Sequence, residues 1–190
     1  MRSGYRYEAC GLIQYSKDIT LEDIHFAFLG NFGLVGQVSE NITYRHLTFE
    51  PEAISGRTCA GFADFIQMSG CKGKILIENS RFSGAQDDPI NIHGTHLAVT
   101  KFLSPNKLVV KYMHPQTYGF QSFLPGNEID FINAHSLMPL ASFKVKNAEM
   151  RNEREIVITL NQSVPQKIRE TNNLVVENVT YTPEVVLSLI

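Results

Sequence analysis

Tryptophan is absent from this 190-residue chain, so any flat apolar face must come from its 12 Phe and 7 Tyr. Charge is sparse too. Charged residues make up 19%, the net charge is −2, and Lys and Arg form no run. This balance argues against nucleic acid or an anionic membrane as partner, since both need a concentrated basic surface. No apolar run approaches the roughly 20 residues of a membrane-spanning helix. Met1-Arg2-Ser3-Gly4 leads into polar, Tyr-rich sequence and does not read as a signal peptide. Cysteine is scarce: Cys10, Cys59 and Cys71 form no C-x-x-C pair and have no His at zinc-site spacing. All three are expected to be plain buried thiols. With 43% hydrophobic residues the chain has the material for a packed core, and disorder is excluded.

What the chain does have is repetition. Asp64-Phe65-Ile66-Gln67-Met68-Ser69-Gly70 and Asp88-Pro89-Ile90-Asn91-Ile92-His93-Gly94 share one pattern: acid, x, Ile, polar, apolar, polar, Gly. They start 24 residues apart, and a third acid, Asp87, stands beside Asp88. A second pattern, x-φ-x-φ-x-x-φ-x-φ, starts at Asp18, Asn41, Lys74 and Asn173. Alternation on both sides of a two-residue polar break predicts two short strands joined by a tight corner. The first two gaps, of 23 and 33 residues, fit one coil of chain each, the second with an insertion around Glu50–Arg57. A period of this length without helical spacing points to stacked parallel strands. Leucine-rich repeats are excluded by the missing Leu/Asn signature, and a sandwich would not return the same corner at near-constant spacing.

From about His96 to Pro165 the pattern changes. Five strand-like stretches lie at 97–102, 107–112, 128–132, 141–146 and 155–160, separated by Ser104-Pro105-Asn106, Leu124-Pro125-Gly126-Asn127 and Met138-Pro139. They predict a small antiparallel barrel inserted between coils. The expected fold is all-β, a right-handed parallel β-helix with an inserted small antiparallel β-barrel. Its expected parts are coils over 1–96, a barrel over 97–165, and a return to the coils over 166–190. Neither end carries a cap for its strand edges, so the chain is expected to be an internal piece of a longer protein.

Stacked coils place equivalent residues about 4.8 Å apart, making Asp64 and Asp88 neighbours on one face, with Asp87 diagonal to Asp64. Carboxylates that close repel, which favours a protonated acid beside an ionised base. That pairing is what hydrolysis of a glycosidic bond requires. The competing readings are turn-capping aspartates, an Asp/Asn ladder, or a calcium site. His93 and His96 flank Gly94-Thr95 and can bind sugar hydroxyls or complete the junction with the barrel. Asn91 points away from the apolar slots toward a hydroxyl or an Asn ladder. Arg57, in the insertion, can reach a substrate. A polygalacturonase-like hydrolase, a β-helix lyase and a non-catalytic glycan-binding segment are the rival functions. The few cations near the acids (Lys72, Lys74 and Arg81) disfavour an acidic polymer as substrate.

At Ser69-Gly70-Cys71-Lys72-Gly73-Lys74-Ile75 and at Asp87-Asp88-Pro89-Ile90-Asn91-Ile92-His93-Gly94-Thr95-His96 the chain resembles glycoside hydrolase family 110. Those enzymes are exo-acting α-galactosidases that remove terminal α-1,3-linked galactose, including from blood-group B type glycans. The resemblance is sharpest from Ala63 to His96. It implies a right-handed β-helix carrying barrels, an inverting reaction, and no metal or other cofactor. It also implies a galactose-terminated glycan as partner and a secreted or periplasmic parent protein; a homo-oligomer is compatible with it. By resemblance Asp64 would be the general acid, and Asp87 with Asp88 would activate the water. The chain is shorter than the family's usual length, and Pro89 stands where the family pattern has a small residue.

Overall fold

The computed structural model describes residues 8–188. The chain first runs through three coils. They are β1 (Ala9–Gln14), β2 (Lys17–Glu22) and β3 (His25–Phe26); β4 (Phe32–Gln37), β5 (Glu40–Arg45) and β6 (Thr48–Phe49); and β7 (Ile66–Ser69), β8 (Lys72–Glu78) and β9 (Arg81–Phe82). A fourth coil begins with β10 (Ile90–His93). Six further strands follow: β11 (His96–Ser104), β12 (Lys107–Lys111), β13 (Glu128–Asn133), β14 (Pro139–Met150), β15 (Glu155–Leu160) and, after the single-turn α1 (Gln166–Arg169), β16 (Leu174–Asn178). The last strand among the described residues is β17 (Pro183–Ser188).

The coil strands form three parallel sheets, ordered β1-β4-β7-β10, β2-β5-β8-β17 and β3-β6-β9. Strand one of each coil pairs with strand one of the next, strand two with strand two, and strand three with strand three. The corners that allow this are single left-handed residues stacked in columns. Tyr15, Val38 and Gly70 lie between the first and second strands, and Asp23, His46 and Asn79 between the second and third. Asp, Asn and His tolerate this region better than most residues, which is why the polar break in the repeat is polar. A third column, Asp18, Asn41 and Gly73, is also left-handed. A Cβ at Gly73 would collide with Asn41 Oδ1, the oxygen that accepts the Lys74 N–H at 3.1 Å.

Inside the coils, Phe49 stacks on Phe26 at 4.7 Å and on Phe82 at 5.1 Å, one ring per coil, and also on Phe65 at 5.1 Å. Phe49 and Phe65 are fully buried, and each contributes on the order of 2–3 kcal/mol of burial. Outside, charge alternates along the columns. Glu40 sits between Lys17 at 3.0 Å and Lys72 at 3.2 Å, and Arg45 between Glu22 and Glu78. Opposite charges at matching positions fix the register. The expected insertion is present and carries a 3-10 turn at Ala53–Ser55.

The other unit, Gly94–Tyr181, is a closed antiparallel barrel ordered β11-β12-β15-β14-β13-β16. Leu97, Leu108, Ile129, Phe131, Ile158 and Val176 are buried in it. Closure leaves no strand edge to protect. Entry and exit strands are paired, His96 opposite Glu177, so the chain arrives and leaves side by side.

Two expectations fail. The copy of the coil repeat at Asn173–Tyr181 does not return to the coils: its strand, β16, is the sixth barrel strand, antiparallel to β11 and β13. Alternation with period two is common to any strand with one buried face, so it cannot by itself tell coil from barrel. The return is made by β17, whose Pro183 pairs with Gly73 of β8. The cysteines also differ from expectation. Cys71 is buried, Cys59 is partly exposed and Cys10 is exposed, all with free thiols. Cys10 lies on the outer strand of its sheet, where nothing among the described residues covers it.

Candidate active site

The site is built by the pairing of β7 with β10. Ile66 lies opposite Ile90, Asn91 opposite Gln67 and His93 opposite Ser69. The register continues backwards along the chain: the Phe65 N–H donates to Asp88 O at 3.2 Å and the Ile66 N–H to Pro89 O at 3.3 Å. Asp64 therefore stands one coil from Asp88. Pro89 is accommodated because β10 is the outer strand of its sheet among the described residues, where a missing N–H breaks no ladder bond. Its carbonyl still accepts from Ile66.

The three acids are brought together. One carboxylate oxygen of each of Asp64, Asp87 and Asp88 lies within 4.8 Å of the other two. Asp64 is only 5% exposed, whereas Asp88 is open to solvent and Asp87 partly so. Asp87 Oδ1 accepts the Asp88 N–H at 3.2 Å, which holds the pair in a bent conformation. Ile66 and Met68 point into the core, so Gln67 between them points out. By the same alternation Asn91 and His93 line this outer face.

Asn91 Nδ2 donates to Asp64 Oδ2 at 3.0 Å. His93 Nε2 lies 3.1 Å from Gln67 Nε2, so Asn91 and His93 both reach back diagonally, His93 onto β7 and Asn91 onto Asp64 just before it. Gln67 is a polar neighbour that sequence reasoning missed; the repeat itself signals it, since Gln67 occupies the slot of Asn91 in the aligned segments. Further along the same sheet Gln14 donates to Gln37 at 2.8 Å. The outer face thus carries neutral amides next to the acids, a surface suited to hydroxyl-rich, uncharged ligands.

The remaining candidates lie differently. Arg57 is exposed, and its guanidinium sits 4.4 Å from the centroid of the Phe28 ring. His96 opens β11 and belongs to the barrel unit, opposite Glu177. A second group of mutually close ligand atoms, Glu22, Asp23 and His46, is exposed at a corner. Its members are engaged with one another and with Arg45, His46 Nδ1 lying 3.2 Å from Asp23 and Arg45 3.2 Å from Glu22.

Comparison with known proteins adds names to this geometry. Residues 107–174, most of the barrel, match the family model described as GLAA-B beta-barrel domain II. An alpha-1,3-galactosidase A of Bacteroides thetaiotaomicron is 52% identical over 185 residues, covering 97% of this chain and 33% of that protein. An alpha-1,3-galactosidase A of Akkermansia muciniphila is 41% identical, covering 96% of this chain and 30% of its own length. An alpha-1,3-galactosidase B of Phocaeicola vulgatus is 35% identical, with 93% and 31% covered. The chain spans about a third of the length of these curated relatives. The family resemblance read from the motif at Asp87–His96 is borne out: the chain is homologous to one stretch of proteins named as galactosidases, a kind of glycoside hydrolase.

Proposed function

We propose that this chain carries the catalytic acids of a glycoside hydrolase that removes terminal α-1,3-linked galactose from glycans. The single observation that carries the reading is the convergence of Asp64, Asp87 and Asp88 from two adjacent coils, oxygens mutually within 4.8 Å. The relatives' names supply the substrate class. In the same reading the three parallel sheets are the faces of a right-handed parallel β-helix, and the barrel is an insertion in its fourth coil. The parent protein is secreted or periplasmic, and no cofactor takes part.

In the mechanism, Asp64 protonates the departing glycosidic oxygen as the bond to the anomeric carbon breaks. Asp87 and Asp88 take a proton from the water that attacks that carbon. Burial of Asp64 and solvent access to Asp88 suit these roles, since the acid works against a leaving group and the base must meet a water. Inverting enzymes usually hold their carboxyls about 6.5–9.5 Å apart and retaining ones about 5–5.5 Å. The 4.8 Å limit applies to one oxygen of each acid and is not the separation of the carboxyl groups, so inversion rests on the family resemblance.

Two measurements on the full-length enzyme test the reading. Asp64→Asn should reduce hydrolysis of an α-1,3-digalactoside by about 10²–10⁴-fold and spare a dinitrophenyl α-galactoside, which departs without a proton. Equal activity of variant and wild type on the digalactoside would remove Asp64 as acid. Proton NMR of the first product should show β-galactose; α-galactose would mean retention.

The same cluster favours one rival. Three carboxylate oxygens this near also suit a hard divalent cation, as a lyase-type reaction would use. Activity that falls on chelation and returns with calcium would favour it over the acid–base reading.

A further inference from the structure

We propose that Asn91 is a positioning residue that fixes which oxygen of Asp64 carries the catalytic proton, an inference that rests on the reading of Asp64 as the acid. Asn91 stands in β10 between two apolar residues, Ile90 and Ile92, and opposite Gln67. Its side chain reaches back to Asp64, where Nδ2 meets Oδ2 at 3.0 Å. An amide N–H can only donate, so the carboxyl oxygen facing it must present a lone pair. The proton of a neutral Asp64 is thereby directed to Oδ1. A carboxyl group otherwise has two equivalent oxygens and a broad terminal torsion. Oriented by this bond, it presents the proton from a defined position, and small misplacements of a reacting group are costly.

The bond also changes during the reaction. Asp64 starts neutral and ends as a carboxylate when the leaving oxygen takes its proton together with the electrons of the broken C–O bond. A hydrogen bond to an ionised acceptor is roughly twice as strong as one between neutral groups. The Asn91 interaction therefore grows as charge develops on Asp64, which is the condition for lowering the barrier rather than merely binding the substrate. The neighbouring Gln67–His93 contact, 3.1 Å, repeats the same backward reach from β10 and holds the strand beside Asn91. The bond to Asp64 uses one of the two N–H donors of the Asn91 amide, so a role in gripping a substrate hydroxyl is the rival that the test must separate.

The two roles separate by leaving group. In the full-length enzyme Asn91→Leu removes the donor at similar volume, and Asn91→Ala serves if the Leu variant melts abnormally. Both are assayed on an α-1,3-digalactoside and on a dinitrophenyl α-galactoside. Positioning predicts a kcat loss on the order of 10²-fold on the digalactoside with KM nearly constant, and less than about a threefold loss on the aryl substrate. Equal losses on both substrates, or a raised KM with kcat kept, would overturn it. Asp64→Asn run in parallel tells two failures apart. If that variant shows the leaving-group dependence and the Asn91 variants do not, only the positioning role is lost. If Asp64→Asn shows none, the acid assignment falls and the role of Asn91 falls with it.

Discussion

The coils and the barrel are both all-β, yet they use their residues in different ways. In the coils each strand pairs with the same strand of the next round, so side chains of one kind stack in columns: Phe26, Phe49 and Phe82 inside, Lys17, Glu40 and Lys72 outside, Asp18, Asn41 and Gly73 at a corner. A residue in such a column supports neighbours above and below. In the barrel each strand pairs with an antiparallel partner of unrelated sequence. There the order comes from closure and from alternating inward apolar residues rather than from ladders of one residue kind. Substitutions should therefore propagate in the coils and stay local in the barrel.

The largest expected effect compares two fully buried rings, Phe49 and Phe131. Phe49 stacks on three others, whereas Phe131 meets Phe143 edge-on at 5.4 Å and Phe102 at 6.2 Å. Either change to Ala should cost about 3–5 kcal/mol in denaturant unfolding. Phe49→Ala should cost more, by about 1 kcal/mol for the extra ring contacts. Equal losses would break the idea of a cooperative column. A middle-sized effect compares two glycines with positive φ. Gly73 is crowded by Asn41, whereas Gly126, in a barrel turn, has open space around it. Gly126→Ala should cost about 1 kcal/mol from backbone strain alone. Gly73→Ala adds the collision and should cost about 2–3 kcal/mol. A thermal melt of each variant decides.

The smallest effect is electrostatic. The Lys17 and Lys72 ammonium groups donate to Glu40 and hold its carboxyl below the ordinary 4.5. A carboxyl with a lowered folded-state value contributes stability above its unfolded value and loses it as pH falls through the folded one. Glu40→Gln should thus be slightly less stable than wild type at neutral pH, and the difference should vanish well below pH 4.5. The site is open to solvent, so the effect is small and shrinks in salt. A difference that persists in acid would show that shape rather than charge fixes the register there.

Much of this was readable from the chain because stacking writes itself into spacing. The 24-residue offset of Asp64 and Asp88 is the register of β7 against β10, and the polar break of the repeat is the left-handed corner at Asp23, His46 and Asn79. Five of six barrel strands follow from alternation and turn residues. Other features were hidden for physical reasons. β4 reads Phe-Gly-Leu-Val-Gly-Gln and shows no alternation. Gly33 and Gly36 are there because a Cβ would collide with the Phe65 carbonyl and the Met68 sulfur. The alternation of β16 fits coil and barrel alike, so only its pairing with β11 and β13 places it in the barrel. The bond from Asn91 to Asp64 was hidden because it runs diagonally between coils, and no linear spacing encodes a diagonal.

The side-by-side entry and exit of the barrel bears on the order of folding. Gly73 and Pro183, more than a hundred residues apart, must meet for β17 to join β8. Closing so long a loop from an unfolded chain is slow and entropically unfavourable. Once β11 has paired with β16, the whole excursion behaves as a short tether, and the closure penalty drops by roughly 1–2 kcal/mol. The barrel then acts as a folding clasp: it can form from its own contacts, and by forming it delivers the last strand to its place. Lesions deep in the barrel, remote in sequence from every acid, would delay completion of the fourth coil and lower the yield of folded protein while leaving the chemistry of correctly folded molecules intact.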